Sequence, residues 1–231
     1  MNFKQLPYKT EWVEFPDIKA VCQKIGAPPT DIRLQLDGSG LQEHYTLPVI
    51  YDSSTGKIVA ESFAIAEYLD ETYPDTPKLL PAGSAAAIAL FNKCAEQYVL
   101  IPLVPLVLPQ SLEKLNDKSK YYFEHSWELW FGEKLLDVCP PGAKREKAWE
   151  QFRRGLTLLA DFYQRKGAQG EAPKFFSGNE FSYADIIIGS FLHLPKVILS
   201  EDEYDWNEVK TIKDGVWGRV IDELEKYRQV L

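Results

Sequence analysis

The residues whose types and spacing point to chemistry lie between positions 44 and 69, in the stretch HYTLPVIYDSSTGKIVAESFAIAEYL. Pro48 interrupts a segment that otherwise resembles a strand, and proline belongs at a sheet edge or break because it cannot donate to a ladder. An X-Pro bond also adopts the cis form at modest cost. A break here leaves the N–H and C=O of Leu47 facing outward, where they can pair with a short peptide. The alternative, favoured by the dipeptide alone, is that Pro48 only protects a sheet edge from aggregation.

Glu61 and Ser62 form the second feature, at the start of a predicted helix. Ser62 precedes an apolar helical run and fits the N-cap position. A helix N-terminus with a hydroxyl and free backbone N–H groups is a carboxylate site, and the Glu61 carboxylate beside it can take an ammonium group. Together the two residues would hold an amino-acid head group. The alternative, preferred for the pair in isolation, is a capping serine beside a surface glutamate.

A small α/β unit is predicted to position these residues. The sequence predicts a strand over residues 8–14 and a short helix that begins at Pro16-Asp17, with Asp17 as N-cap, and ends at Gly26. Residues 27–40 are rich in turn formers and predict a surface loop. Strands follow over residues 46–52 and 57–60, joined by a turn at 53–56, and an amphipathic helix covers residues 62–72.

The composition changes after a proline-containing connector at residues 74–81. Beyond Gly83 the patterns predict only helices, over residues 84–100, 120–137, 144–166, 182–194 and 215–228. The apolar stretch at residues 98–109 contains three prolines and predicts a broken helix end. We therefore expect an α/β domain at residues 1–77 and an all-helical domain at residues 82–231.

The overall composition limits the classes of partner. The chain has 231 residues, 45% of them hydrophobic, and a net charge of −8, which disfavours nucleic acids and anionic membrane surfaces. We see no apolar run long enough to cross a bilayer and no signal-peptide core at the N-terminus. The three cysteines are odd in number and far apart, which suits a reducing compartment such as the cytoplasm. The histidines are equally scattered, so we expect no metal site.

The combined pattern resembles the glutathione transferase family. A strand with a proline, a hairpin, a second strand and then Glu-Ser at a helix start followed by AIAEYL carry the resemblance, and the connector DTPKLLPAG matches the link between that family's two domains. The resemblance covers nearly the whole chain. The strings LPYKTEWVEFPDI, IGAPPT and HYTLPVIYD are closest to a fungal, etherase-like branch, which is linked to detoxification and to binding of aromatic wood-derived compounds.

The stretch FFSGNEFSYADIIIGSFL at residues 175–192 supports the same family. Ser182 is predicted to be an N-cap and Asp185 its partner in a capping box, with Phe181 and Ile186 placed to form a hydrophobic staple. In the family this box opens a buried helix of the second domain and serves folding and stability.

The resemblance implies a thioredoxin-like domain followed by an all-helical glutathione transferase C-terminal domain. Leu47 before a cis-Pro48 would pair with the cysteinyl backbone of glutathione, while Glu61 and Ser62 would hold its γ-glutamyl group. The implied activity is conjugation of glutathione, as cosubstrate, to hydrophobic electrophiles. The implied partners are a small hydrophobic ligand and a second copy of the chain in a homodimer, with no metal, nucleic acid or membrane.

The sequence departs from the family at the residues that act on the sulfur of glutathione. The family's first strand and first helix carry a serine, tyrosine or cysteine, whereas MNFKQLPYKTEW resembles only the tail of that helix. We therefore expect a truncated thioredoxin-like domain, and we assign no catalytic residue. Tyr8 and Tyr45 supply hydroxyls in this domain, but no pattern directs either at a sulfur. We expect the strand at residues 8–14 to be displaced, frayed or paired directly with residues 46–50.

Two further interpretations stay open at this point. Without the hydroxyl that favours the thiolate, the chain would be a non-catalytic carrier of glutathione or an aromatic ligand, or a dimerising interaction module. Phe123, Trp127 and Trp130 share one helix face and could border a ligand site, but large aromatics more often form core. Whether glutathione binds separates the carrier from the module.

Overall fold

The computed structural model describes residues 1–34, 40–165, 170, 173–200 and 204–229. In the N-terminal part, helix α1 spans Ile18–Ile25, strands β1 and β2 span Asp31–Leu34 and Leu41–His44, strands β3 and β4 span Val49–Asp52 and Lys57–Ala60, and helix α2 spans Ser62–Thr72. Short 3-10 helices cover Asn2–Lys4 and Phe15–Asp17. In the described residues the strands form two antiparallel pairs, β1 with β2 and β3 with β4.

The rest of the described chain is helical. Helix α3 (Ala85–Ala95) continues through a π-helical turn (Glu96–Leu100) into α4 (Ile101–Ser111). The later helices are α5 (Asp117–Phe131), α6 (Leu135–Val138), α7 (Ala143–Tyr163), α8 (Tyr183–Ile198) and α9 (Trp206–Leu224). Helix α9 is kinked at residues 212–215, where the backbone leaves the helical region. The architecture is a small thioredoxin-like α/β domain followed by a helical domain, as predicted.

Several predicted elements of the first domain are confirmed, the strand predicted over residues 46–52 is shorter, at Val49–Asp52, and the loop predicted over residues 27–40 is wrong. Strand β4 and helix α2 have the predicted bounds, and α1 ends at Gly26, which adopts the left-handed conformation. The strand predicted over residues 8–14 is not formed: this segment joins no ladder among the described residues, as expected for a displaced strand. The loop predicted over residues 27–40 contains β1, whose partner β2 follows directly; residues 35–39 lie outside the described part.

The break predicted at residues 98–109 is also wrong, because Pro105 and Pro109 lie inside α4. Pro102 has no N–H to offer the Tyr98 carbonyl four residues earlier, and the π-helical turn accommodates the change at this point. By length and composition alone, the continuous stretch Ala85–Lys114 is the one in the described residues that could cross a membrane. Its Ile88, Val99 and other side chains are buried in the helical core.

Two hydrophobic cores are joined across the domain boundary. The large core lies among α3 to α9, and a smaller one lies between α2 and the connector. Among the described residues, four partly buried side chains pack against both cores: Phe3, Leu80, Tyr183 and Ile186. The two domains therefore share packing around the connector and the start of α8.

Candidate functional site

The β3–β4 hairpin brings the four predicted site residues to one place. Val49 pairs with Ala60 at one end of the ladder. Pro48, which precedes Val49, and Glu61, which follows Ala60, therefore lie next to each other at that end of the two strands. Adjacent strands lie about 4.8 Å apart. Leu47, Pro48, Glu61 and Ser62 therefore meet at the open end of this hairpin, although they belong to two separate segments of the sequence.

The other end of the hairpin is fixed to α2. The hydroxyls of Tyr68 and Tyr73 each donate to one carboxylate oxygen of Asp52 at 2.6 Å. These hydrogen bonds, with a third from Ser54, hold the pKa of Asp52 well below its ordinary value. The strands and the helix that carry the site are thus tied together by a carboxylate that stays charged.

Leu47 presents free backbone groups. The Leu47–Pro48 bond is cis, and the Leu47 side chain is 43% exposed. Within the described part of the chain, neither the N–H nor the C=O of Leu47 has a hydrogen-bond partner, and β3 pairs only with β4. An extended ligand segment can therefore pair with this backbone as an added strand does.

Glu61, and not Ser62, occupies the N-cap position of α2, which corrects the prediction by one residue. Its carbonyl accepts the first helical hydrogen bond, from Ile65 N at 2.9 Å, and its backbone adopts a φ of 78°. Few residues other than glycine take this conformation. The Glu61 side chain is exposed, and Ser62 begins the helix without using its hydroxyl as a cap.

Charges around the start of α2 suit a zwitterionic head group. The N-terminus of a helix carries a partial positive charge and unpaired N–H groups, which favour a carboxylate. The exposed Glu61 carboxylate favours an ammonium group. The pKa of Lys93 on α3 is raised, chiefly by the hydrogen bond that Lys93 donates to Glu96 at 2.9 Å. The charge of Glu61 contributes a smaller part of this increase.

Tyr183 is a neighbour of the site that the sequence did not indicate. It is the first residue of α8, and its ring meets that of Phe63, the residue after Ser62, edge-on with centroids 5.7 Å apart. The capping box that precedes it is confirmed: Asp185 accepts from the Ser182 backbone N–H at 2.8 Å, and both residues are fully buried. No local pattern links positions 63 and 183, so only the fold could reveal this contact.

A large cleft of about 2830 Å³ lies between the two domains. One wall contains Leu47, Pro48 and the irregular segment around Trp12, and the other is formed by α4 and α5. Of the predicted aromatic stripe, Phe123 is buried while Trp130 is 60% exposed. Glu61 and Ser62 are not among the described residues that line the cleft, so these two predicted site residues lie outside it.

The irregular segment is attached to the helical wall. The Phe15 backbone N–H donates to the Ser119 hydroxyl at 3.2 Å, and Asn116 donates to the Glu14 carboxylate at 2.6 Å. The ring of Phe15 packs on Phe123 with centroids 5.4 Å apart. The cleft is thus bridged at one side by residues 14–15.

The two tyrosines considered for activation of a thiol are engaged elsewhere. The Tyr8 hydroxyl donates to the Gln229 carbonyl at 2.8 Å, and the Tyr45 hydroxyl donates to Glu43 at 2.6 Å. The hydrogen bond to Glu43 is the largest cause of the raised pKa of Tyr45. Neither hydroxyl is directed at the Leu47–Ser62 site, and no catalytic residue is assigned.

Among the described residues, no group of three His, Cys, Asp or Glu side chains is arranged to hold a metal ion. Cys22, Cys94 and Cys139 are free thiols. Burial is the main cause of the raised pKa values of the Cys22 and Cys139 thiols, so neither is predisposed to form a thiolate.

Comparison with known proteins identifies the family. Residues 1–72 match the model of the glutathione S-transferase N-terminal domain, and residues 86–227 match that of the C-terminal domain. The chain belongs to the glutathione S-transferase family. It is 30% identical, over an alignment of 236 residues, to the glutathione S-transferase-like protein ustS of Aspergillus flavus, covering 97% of this chain and 81% of that protein.

Solved structures of this family share the fold over the whole chain. The glutathione S-transferase CsGST63524 of Ceriporiopsis subvermispora, crystallised with glutathione, is 43% identical with a TM-score of 0.89, covering 100% of this chain and 88% of its own. The glutathione transferase GSTFuA3 of Phanerochaete chrysosporium is 36% identical with a TM-score of 0.87, covering 100% and 87%. These relatives are consistent with the fungal branch predicted from the sequence.

Proposed function

We propose that this glutathione S-transferase-like chain binds glutathione at the open end of the β3–β4 hairpin. Leu47 pairs with the cysteinyl backbone of the tripeptide, Pro48 shapes the turn before β3, and Glu61 and Ser62 hold the γ-glutamyl head. The observation that carries this proposal is the register of Val49 with Ala60, which places these two pairs of residues side by side.

The chemistry of the site complements that of the ligand. The head of glutathione carries an ammonium and a carboxylate, which match the exposed Glu61 carboxylate and the N-terminus of α2. The cysteinyl unit carries a backbone N–H and C=O, which match the unpaired groups of Leu47. CsGST63524, a relative crystallised with glutathione, has the same fold over the full length of this chain.

The reaction we propose is conjugation to a hydrophobic electrophile. The glutathione thiolate attacks an electrophilic carbon, a carbon–sulfur bond forms, and the leaving group departs with its bonding electrons; removal of an ether or thiol group follows the same pattern. The protein contributes by holding the two reactants together. The aromatic residues that line the cleft, among them Trp12, Phe15, Trp127 and Trp130, favour an apolar and aromatic second substrate.

The wider role follows from the same proposal. Conjugation of apolar electrophiles serves detoxification, and three unpaired cysteines suit a cytoplasmic location. We also propose a homodimer, with Leu90 on α3 at the interface. This residue is 67% exposed in the single chain.

Calorimetric titration with glutathione tests the binding site. We expect the native chain to bind and Ser62→Ala to bind about tenfold to hundredfold more weakly, since a hydrogen bond to a charged group contributes about 1.5–3 kcal/mol. Ser190→Ala is the matched control because the Ser190 hydroxyl is exposed and bonds only to Ile186 O in its own helix. Equal affinity of the native chain and Ser62→Ala would remove Ser62 from the site.

Conjugation is tested with the same protein and a chromogenic aryl halide. Because the Tyr8 and Tyr45 hydroxyls are engaged elsewhere and no catalytic residue is assigned, we expect the rate to rise with pH up to the ordinary thiol pKa of about 8.5. A rate that is already constant at neutral pH would reveal a group that stabilises the thiolate.

A further inference from the structure

The β1–β2 hairpin turns a polar face toward the cleft. Asp31 pairs with His44 and Arg33 pairs with Gln42 in the ladder, so these four side chains project from one face of the hairpin. Arg33, Gln42 and His44 line the cleft, whereas Ile32 on the opposite face is exposed to solvent. A ligand in this part of the cleft therefore meets polar groups on the side of the hairpin.

Arg33 reaches the aromatic wall on the other side of the cleft. Its guanidinium carbon lies 5.9 Å from the centroid of the Trp130 ring, within range of a cation–π interaction. Trp130 belongs to α5, also lines the cleft and is largely exposed. A cation and an uncovered indole ring thus lie next to each other in the cleft.

The guanidinium of Arg33 keeps donors for a further partner. Its Nε donates to the Asp31 carboxylate at 3.0 Å, in a pair whose two side chains are both about half exposed. An arginine has five N–H donors, and in the described part of the chain we find no acceptor for those on the terminal nitrogens. These nitrogens can therefore bind a second anion.

Lys19 adds a second positive charge beside Arg33. Its Nζ donates at 3.5 Å to the side chain of Gln42, the ladder partner of Arg33, and it forms no salt bridge within the described ranges. The nearby Glu43 carboxylate accepts from the Tyr45 hydroxyl at 2.6 Å. The chain as a whole carries a net charge of −8, so two cations at this aromatic wall favour a ligand that the rest of the surface repels.

We propose that Arg33 is a specificity-determining residue of the cleft, which selects aromatic second substrates that carry a carboxylate. This inference rests on the proposed conjugation and names the class of substrate that the cleft takes. The ring of the substrate packs on Trp130, and its carboxylate accepts from the terminal nitrogens of Arg33. A planar guanidinium suits this role because it can donate two parallel hydrogen bonds to one carboxylate.

Two probes of nearly the same shape test the selection. 2-Naphthoate carries a carboxylate, 2-naphthamide carries a neutral amide in its place, and neither has a leaving group. In calorimetric titrations we expect the native chain to bind naphthoate about fivefold more tightly than naphthamide, and Arg33→Gln to bind the two equally. Raising the salt concentration from about 0.05 to 0.5 M should shrink the preference of the native chain, because the pair is exposed, and leave naphthamide binding unchanged.

Two further variants control for indirect effects. Arg154→Gln removes a charge from an exposed position on α7 that is not among the described residues lining the cleft, so it should keep the native preference. Trp130→Leu should weaken both probes together, because both pack on the same ring. Equal binding of the two probes by the native chain, a preference that survives Arg33→Gln, or no binding of either probe would overturn the inference.

A parallel titration of the native chain with glutathione distinguishes this inference from the proposed function. Selection of naphthoate without glutathione binding would defeat the proposed conjugation and leave the role of Arg33 in ligand selection intact. Glutathione binding without selection of naphthoate would defeat only the role of Arg33.

Discussion

At the scale of single residues, the positive φ of Glu61 determines how the start of α2 is presented. Glu61 takes the N-cap position with a φ of 78°, and Ser62 follows as the first helical residue. This conformation has no sequence signal, so the sequence placed the cap one residue late, whereas Leu47, Pro48, Glu61 and Ser62 were all proposed as site residues from local patterns. Tyr183 was missed because its contact with Phe63, beside Ser62, depends on how the two domains pack.

Lys4 is a second residue whose role only the fold reveals. In the sequence MNFK it has the appearance of a solvated charge, yet its side chain is fully buried and its Nζ lies 2.6 Å from Asp70. Lys4 also donates to the Pro77 carbonyl, and Asp70 accepts from the backbone N–H groups of Leu79 and Leu80. The pair therefore ties the N-terminal segment to α2 and the connector.

We expect Lys4→Met to lower the free energy of unfolding by about 3 kcal/mol, because it leaves a buried carboxylate without its charged partner. Urea denaturation followed by circular dichroism measures this change. Lys9→Met is the matched control: Lys9 pairs with Glu11 where both side chains are about 80% exposed, and such pairs contribute about 0–1 kcal/mol. Equal effects of the two substitutions would contradict a stabilising role for the buried pair.

The same pair predicts a pH dependence. Burial alone would raise the pKa of Asp70, but hydrogen bonds from Lys4, Leu79 and Leu80 together lower it below the ordinary value. A carboxyl with a lowered pKa in the folded state stabilises the protein above its unfolded pKa of about 3.9, and this contribution is lost as the pH falls further. The stability difference between the native chain and Lys4→Met should therefore shrink below about pH 4.

At the scale of elements, the sequence correctly predicted the helices and strands that have strong local patterns. It failed for segments whose structure depends on pairing with other parts of the chain. Helix α2 and strand β4 have clear periodicity and clear ends. Strand β1 lies in a stretch rich in proline, glycine and aspartate, so its pairing with β2 outweighed the turn signals. Residues 8–14 have the composition of a strand but join no ladder in the described structure.

In helix α4, too, tertiary packing outweighs a local sequence signal, here the prolines that predicted a break. The carbonyl of Tyr98, which loses its helical donor at Pro102, faces Gly155 on α7. A Cβ built on Gly155 would lie 1.8 Å from that carbonyl oxygen. The π-helical turn and the glycine therefore fit together, and the proline-containing helix packs closely on α7.

We predict that Gly155→Ala lowers the free energy of unfolding by about 3 kcal/mol, since overpacking against backbone costs about 1–3 kcal/mol or more. Gly218→Ala in α9 is the matched control: its Cβ would meet the nearest atom at 3.5 Å, an ordinary contact. This control should be neutral or stabilising by up to about 1 kcal/mol, because alanine favours helix over glycine. A neutral Gly155→Ala in thermal or urea unfolding would contradict the close packing.

At the scale of the whole molecule, the order of an α/β domain and a helical domain was predictable from where strand patterns stop. The way the domains meet was not, because it rests on side chains far apart in the sequence. Phe3, Leu80, Tyr183 and Ile186 pack against both cores. The glutathione site proposed here lies at this junction, with its peptide-pairing residues on the cleft and its head-group residues beside α8.

A crystal structure of the native chain grown with glutathione tests the central claim most directly. Our account predicts the cysteinyl backbone paired with Leu47, the γ-glutamyl ammonium at Glu61 and its carboxylate on Ser62 at the start of α2. Glutathione bound elsewhere in the cleft, with no contact to Ser62 or to the Leu47 backbone, would contradict it.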